Sequence, residues 1–128
     1  MDQDNMPVKI LIAEDNELSR DLMSGILQSV GHEIIGASDG SAAIQTLNNH
    51  DIDIALVDLN MEPKGGFEFV KHLVLCEIKI PVIIITSDNS SDILMRANDL
   101  GVARVLQKPV EPELLKNAVE HVLKRYKR

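Results

Sequence analysis

The segment Ile52-Asp53-Ile54-Ala55-Leu56-Val57-Asp58-Leu59-Asn60-Met61 limits the folds open to this chain more than any other. It is an almost unbroken apolar run that ends in an aspartate. Such a run reads as a strand covered on both faces, the environment of a parallel sheet. Asp58 then stands at the carboxyl end of a central strand, where open α/β sheets place their ligands.

The flanking sequence supplies the rest of the sheet. Val8 to Ala13 (VKILIA) is a short apolar strand, followed by Glu14-Asp15-Asn16, with Asn16 as a helix N-cap. Leu18, Leu22 and Ile26 recur at four-residue spacing. Together with Met23, Leu27 and Val30 they are assigned to one apolar helix face, which Gly31 terminates. Glu33 to Ala37 is a weaker strand, and Asp39-Gly40 turns into a short helix with Ala42, Ala43, Ile44 and Leu47. After the central strand, Pro63 and Gly65-Gly66 form a loop into a helix carrying Phe67, Val70, Leu73 and Val74. PVIIIT (Pro81 to Thr86) is the most apolar strand. The next helix carries Ile93, Leu94, Ala97 and Leu100 and closes at Gly101. Ala103 to Gln107 is the last strand, and Pro112 opens a final helix that buries Leu114, Leu115, Ala118, Val119, Val122 and Leu123. Five strands alternating with five helices predict an α/β, doubly wound parallel sheet in one domain over 8–128, after a polar, flexible tail over 1–7.

Bulk properties narrow the function. A formal charge of −7 argues against a nucleic-acid-binding surface, which is usually basic. Cys76 is the only cysteine, so no internal disulfide can form, and a reducing cytoplasm is expected. No apolar stretch approaches the roughly 20 residues that span a bilayer, and residues 1–7 lack a signal-peptide core. A soluble protein with no membrane partner is expected. The basic end, Lys124 to Arg128, reads as cations favoured at a helix C-terminus.

A parallel sheet brings all its strand ends to one edge. There the first strand contributes Glu14 and Asp15, the third Asp58, the fourth Thr86 and the fifth Lys108. Each has an ordinary reading alone, as a turn residue, a cap, a strand residue or a surface lysine. Together they are three carboxylates, a hydroxyl and an amine in one place. Clustered carboxylates repel, and a divalent cation relieves this. Oxygen ligands with room for water suit Mg²⁺. A carboxylate beside Mg²⁺ and a lysine is placed to receive a phosphoryl group.

These pieces, ILIAEDN, SDG at Ser38 to Gly40, VDLNM, PVIIITS and GVARVLQKP, resemble the receiver domain of two-component response regulators from about Val8 to Leu123. The resemblance implies a flavodoxin-like sheet of order 2-1-3-4-5. It implies Asp58 as phosphoacceptor, with Asp15, Asp58 and the Asn60 backbone carbonyl as Mg²⁺ ligands and Glu14 acting through water. Lys108 would pair with the phosphoryl group, Thr86 would be the switch hydroxyl, and Lys108-Pro109 would be cis. The implied partners are a sensor histidine kinase or histidine phosphotransfer protein, and an effector reached through the fourth helix, fifth strand and fifth helix. The domain would assist its own phosphorylation and dephosphorylation, with no separate substrate.

Three positions depart from the family pattern. Glu62 stands where proline is usual, with Pro63 one residue later; Gly65 replaces an acidic or amide residue; Val105 occupies a position often held by Tyr or Phe. Val105 predicts a weaker link from the site to the output face. The alternative is therefore a phosphorylation-independent interaction module. An enzymatic rival, a flavodoxin-like cofactor binder or aspartyl-phosphate phosphatase, is disfavoured by the scarcity of aromatics and by Asn60 two residues after Asp58. His32, His50, His72 and His121 lack ligand spacing and read as surface residues. Cys76 reads as a core or helix residue and Met61 as packing under the loop. No phosphate-binding glycine motif is present.

Overall fold

A computed structural model describes residues 8–61, 65–88 and 90–126. The expected tail over 1–7, Glu62, Pro63 and the last two residues of the basic end lie outside the described residues. The elements alternate as expected: β1 (Lys9–Ala13), α1 (Glu17–Gln28), β2 (Glu33–Ala37), α2 (Gly40–Asn49), β3 (Ile54–Asp58), α3 (Gly66–Leu75), β4 (Val82–Thr86), α4 (Ser91–Asp99), β5 (Arg104–Gln107) and α5 (Pro112–Tyr126). The strands form one sheet of order β2-β1-β3-β4-β5, and every pairing is parallel.

Strand alternation divides the core into two layers. Leu11, Ala13, Ala55, Val57, Val82 and Ile84 face a cluster completed by Ala43 of α2, Phe67, Phe69, Val70 and Leu73 of α3, and Ala97 of α4. Ile10, Ile12, Ile54, Leu56, Ile83 and Ile85 face Met23 and Leu27 of α1 and Leu115, Ala118, Val119 and Val122 of α5. β3 and β4 are buried at every residue, which is why both read as continuous apolar runs. Each large side chain removed fully from water there contributes roughly 1.5–3 kcal/mol.

Caps set the helix ends. Asn16 Oδ1 accepts from Ser19 N–H at 2.8 Å, and Asp39 Oδ1 accepts from Ala42 N–H at 2.8 Å. Gly31 and Gly101, the two expected terminators, have φ of 95° and 78°.

Several side chains sit elsewhere than the spacing suggests. Leu18 and Leu22 are 68% and 60% exposed, and Val30 is exposed too. α1 buries Met23 and Leu27, so its contact line runs one residue, about 100° of helix rotation, away from Leu18 and Leu22. Leu94 and Leu114 are exposed by the same displacement relative to the buried Ala97 and Leu115. In α3, Val74 is exposed while Phe69 is completely buried. Cys76 is the exposed C-cap of α3, not a core residue.

The start of α3 packs directly on the end of β3. A Cβ on Gly66 would lie 2.7 Å from the Asp58 carbonyl oxygen and 3.0 Å from Leu59 Cα. Gly66 N–H also donates to the Leu59 carbonyl at 3.0 Å. Gly66→Ala is therefore expected to destabilise the domain by about 1–3 kcal/mol through overpacking against backbone, measured as a lowered urea midpoint.

Candidate acidic site at the strand ends

Register places the site residues. Ala13 pairs with Val57, so Glu14 and Asp58, each one residue further on, are neighbours across the β1–β3 seam. Asp58 pairs with Ile85 and Thr86 with Gln107, which brings Lys108 to the same edge from β5. Lys108 N–H donates to the Thr86 carbonyl at 2.8 Å, and the Lys108-Pro109 peptide is cis.

The side chains converge. Lys108 Nζ lies 3.0 Å from Glu14 Oε1 and 3.2 Å from Asp58 Oδ1. Glu14 is 1% exposed and Asp58 5%, while Asp15 is exposed. Glu14 Oε2 also accepts from Asn16 N–H at 3.1 Å. Burial pushes the Lys108 pKa down, but hydrogen bonds and charge from Glu14 and Asp58 outweigh it and leave it above the ordinary 10.5. Lys108 therefore remains an ammonium ion at neutral pH.

One carboxylate oxygen each from Glu14, Asp15 and Asp58 lie within 4.8 Å of one another, so the three could hold a metal ion. All the donors are hard oxygens, one carboxylate is open to solvent, and the chemistry suits a hard divalent cation that keeps part of its water shell. Asn60 is an exposed residue two positions beyond β3.

Thr86 is completely buried, and its Oγ1 accepts from Asp88 N–H at 3.0 Å. Asp88 Oδ1 accepts from Ser90 N–H at 3.0 Å, and Ser90 Oγ caps α4 by accepting from Ile93 N–H at 3.5 Å. A hydrogen-bonded ladder thus runs from the Thr86 hydroxyl to the first turn of α4. Val105 is half-buried and packs against the α2–α4 core layer. Arg96 stacks over the Phe67 ring at 4.2 Å, tying α4 to α3.

Arg20, which spacing did not single out, belongs to this site. Its Nη1 donates to the Glu14 carbonyl at 2.6 Å. The available signal was an arginine in the first turn of the helix that follows the acidic pair.

The remaining candidates stand apart. Among the histidines, His50 and His121 are exposed and His72 is half-buried. The Nδ1 of His32 is buried without a hydrogen-bond partner; burial lowers its pKa, partly opposed by Glu120. Met61 is buried, as expected. A groove of about 320 Å³ lined by Val70, Leu73, Ile80, Val82 and Val102 lies at the opposite edge of the sheet, away from the carboxylates. Among the described residues no helix is long and apolar enough to cross a membrane.

The sequence profile of the response regulator receiver domain matches residues 10–120. The chain is 30% identical over 123 residues to the transcriptional regulatory protein PdtaR of Mycobacterium tuberculosis, covering 95% of this chain and 60% of that protein. It is 29% identical to the sensor histidine kinase RcsC of Escherichia coli, over 91% of this chain and 12% of the kinase. The chain thus corresponds to part of the length of these relatives. Its fold superposes on the chemotaxis protein CheY4 of Vibrio cholerae with a TM-score of 0.87 at 28% identity, covering 91% of this chain and 99% of that one. The Francisella response regulator 1452 receiver domain gives 0.89 at 26% identity, over 94% and 99%. With its sheet order, its acidic strand ends and its match over most of its length, the chain belongs to the response regulator receiver domain family of two-component systems.

Proposed function

We propose that Asp58 is the phosphoacceptor of this receiver domain and takes its phosphoryl group from a phosphohistidine on a sensor histidine kinase or histidine phosphotransfer protein. The observation that carries this reading is the Lys108 ammonium held 3.2 Å from a buried Asp58 carboxylate. An Asp58 oxygen attacks phosphorus, the donor's N–P bond breaks, and the imidazole leaves with the bonding pair. Asp15, Asp58 and the Asn60 carbonyl would hold Mg²⁺, with Glu14 acting through water. When bound, the ion neutralises charge on the oxygens around the reacting centre. Lys108, already shared between Glu14 and Asp58, moves its hydrogen bonds to the new phosphoryl oxygens, and the Thr86 hydroxyl donates to one of them.

Histidine-borne phosphate has to approach the open edge of the site. The exposed Leu18 and Leu22, on the helix that starts two residues after Asp15, support a docking surface there. The output surface is read as α4, β5 and α5. Val105 has one stiff χ1 and too little volume to swing between positions as an aromatic ring would. The ladder Thr86–Asp88–Ser90 is the route by which a turn of the Thr86 hydroxyl reaches α4. The domain acts in the cytoplasm and promotes its own phosphorylation and hydrolysis without a separate substrate.

Acetyl phosphate with Mg²⁺ should add one phosphate to the protein by intact mass, and Asp58→Asn should abolish it. An unmodified wild type would favour a phosphorylation-independent interaction module instead. Lys108→Ala should leave Mg²⁺ binding intact or tighter, since the lysine repels the cation, while losing the structural response to beryllium fluoride; calorimetry and amide chemical shifts separate the two. Val105→Tyr should enlarge the beryllium fluoride shifts over residues 90–110 relative to those around Asp58, and unchanged shifts would rule out Val105 as the limiting element.

A further inference from the structure

We propose that Arg20 is a positioning residue for the cation site: its guanidinium pins the Glu14–Asp15 peptide and so aims the Asp15 carboxylate at Asp58, while Gly36 of β2 provides the bed in which the arginine lies. The proposal rests on the metal reading above and adds two residues that touch neither the cation nor the phosphoryl group.

Glu14 follows the last paired residue of β1, Ala13, so its carbonyl lies beyond the β1–β2 and β1–β3 ladders. Arg20 Nη1 supplies a donor to that oxygen at 2.6 Å, a charge-assisted bond of the stronger class. This carbonyl belongs to the peptide that joins Glu14 to Asp15. The remaining groups of Glu14 are also held. Its N–H donates to the Ala37 carbonyl at 2.9 Å, and its carboxylate is shared between Lys108 Nζ and Asn16 N–H. Asp15 is exposed, yet its carboxylate lies within 4.8 Å of those of Glu14 and Asp58, and the held peptide before it helps set that placement.

The arginine reaches this peptide by lying across the edge strand. A Cβ on Gly36 would stand 3.1 Å from Arg20 Cδ and 3.4 Å from Nε. A Cβ there already asks the arginine to give by a few tenths of an ångström, and the further methyls of a branched side chain crowd it more. The other end of Arg20 is anchored by the helix, where its N–H donates to the Asn16 carbonyl at 2.9 Å.

A cation beside a carboxylate cluster has a second effect with the opposite sign. As a bare charge, Arg20 repels Mg²⁺, so its removal would tighten metal binding. As a positioning residue it holds a ligand in place, so its removal weakens binding; loss of such outer partners typically lowers metal affinity 10–100-fold. The sign of the change therefore decides between the two roles. Lysine keeps the charge but lacks the planar fork, and it should not rescue.

The test is a Mg²⁺ titration followed by amide chemical shifts, because the chain has no tryptophan to report binding by fluorescence. Arg20→Ala should bind about tenfold more weakly than wild type, and Arg20→Lys should stay weakened by at least about threefold. Gly36→Val should also weaken Mg²⁺ by about threefold or more while its urea midpoint holds or rises, since valine favours a strand. A purely structural role for Arg20 would not separate metal affinity from stability in this way. Binding within threefold of wild type, or tighter, in either Arg20→Ala or Gly36→Val overturns the proposal; if Arg20→Ala fails to fold, Gly36→Val decides alone. A wild type without Mg²⁺-dependent shifts defeats the metal reading itself, and this proposal with it. Failure of this proposal alone leaves the wild-type titration and its loss in Asp15→Asn intact.

Discussion

Two carboxylates nearly sealed from water stand side by side, and Lys108 supplies a counter-charge to both. Its Nζ stands 3.0 Å from Glu14 and 3.2 Å from Asp58, across 94 residues of sequence in the first case. Taking one charge into a protein interior costs several kcal/mol unless it is paired and hydrogen-bonded. The parallel sheet makes the pairing possible. β1 and β3 are adjacent and in register, so their acidic ends meet. β5 lies two strands away from β3, and a long, flexible lysine side chain closes that gap.

The same arrangement underlies the proposed phosphoryl transfer. In the proposed reaction, the hydrogen bonds that Lys108 makes to Glu14 and Asp58 would pass to an incoming phosphoryl oxygen. The scaffold around it is held closely. Gly66 lets the first turn of α3 press on the Asp58 carbonyl, and Gly36 lets Arg20 cross the edge strand to the Glu14 carbonyl. Of the three carboxylates Asp15 is the one open to solvent, the side from which a hydrated cation would enter.

Small groups connect the site to α4. Thr86 is buried on the α2–α4 side of the sheet, with Val105 on the same side at the edge strand. In place of a bulky ring that changes position, the β4–α4 connection offers successive hydrogen bonds that end at the cap of α4. In the proposed switch, a Thr86 hydroxyl turning toward a phosphoryl oxygen would alter the first of these bonds. A ligand moves such a two-state element only by the difference in its affinity for the two states.

Local sequence determined the elements and their chemistry. Fully buried strands read as apolar runs, their ends are marked by Glu14, Asp58, Thr86 and Lys108, and Asn16, Asp39, Gly31 and Gly101 set the helix limits through their own backbone preferences. Parallel topology then requires these ends to share an edge, so the acidic site was legible before any coordinates. Tertiary structure alone decided which side of each helix meets the sheet. Leu18, Leu22, Leu94 and Leu114 are as apolar as their buried neighbours, and a shift of one residue turns a side chain by about 100°, too little for periodicity in a short helix to resolve. It also decided the Arg20–Gly36 contact, because that contact depends on which strand lies beside β1, and a residue's neighbours across a sheet are set by strand order and register, not by its neighbours in the chain.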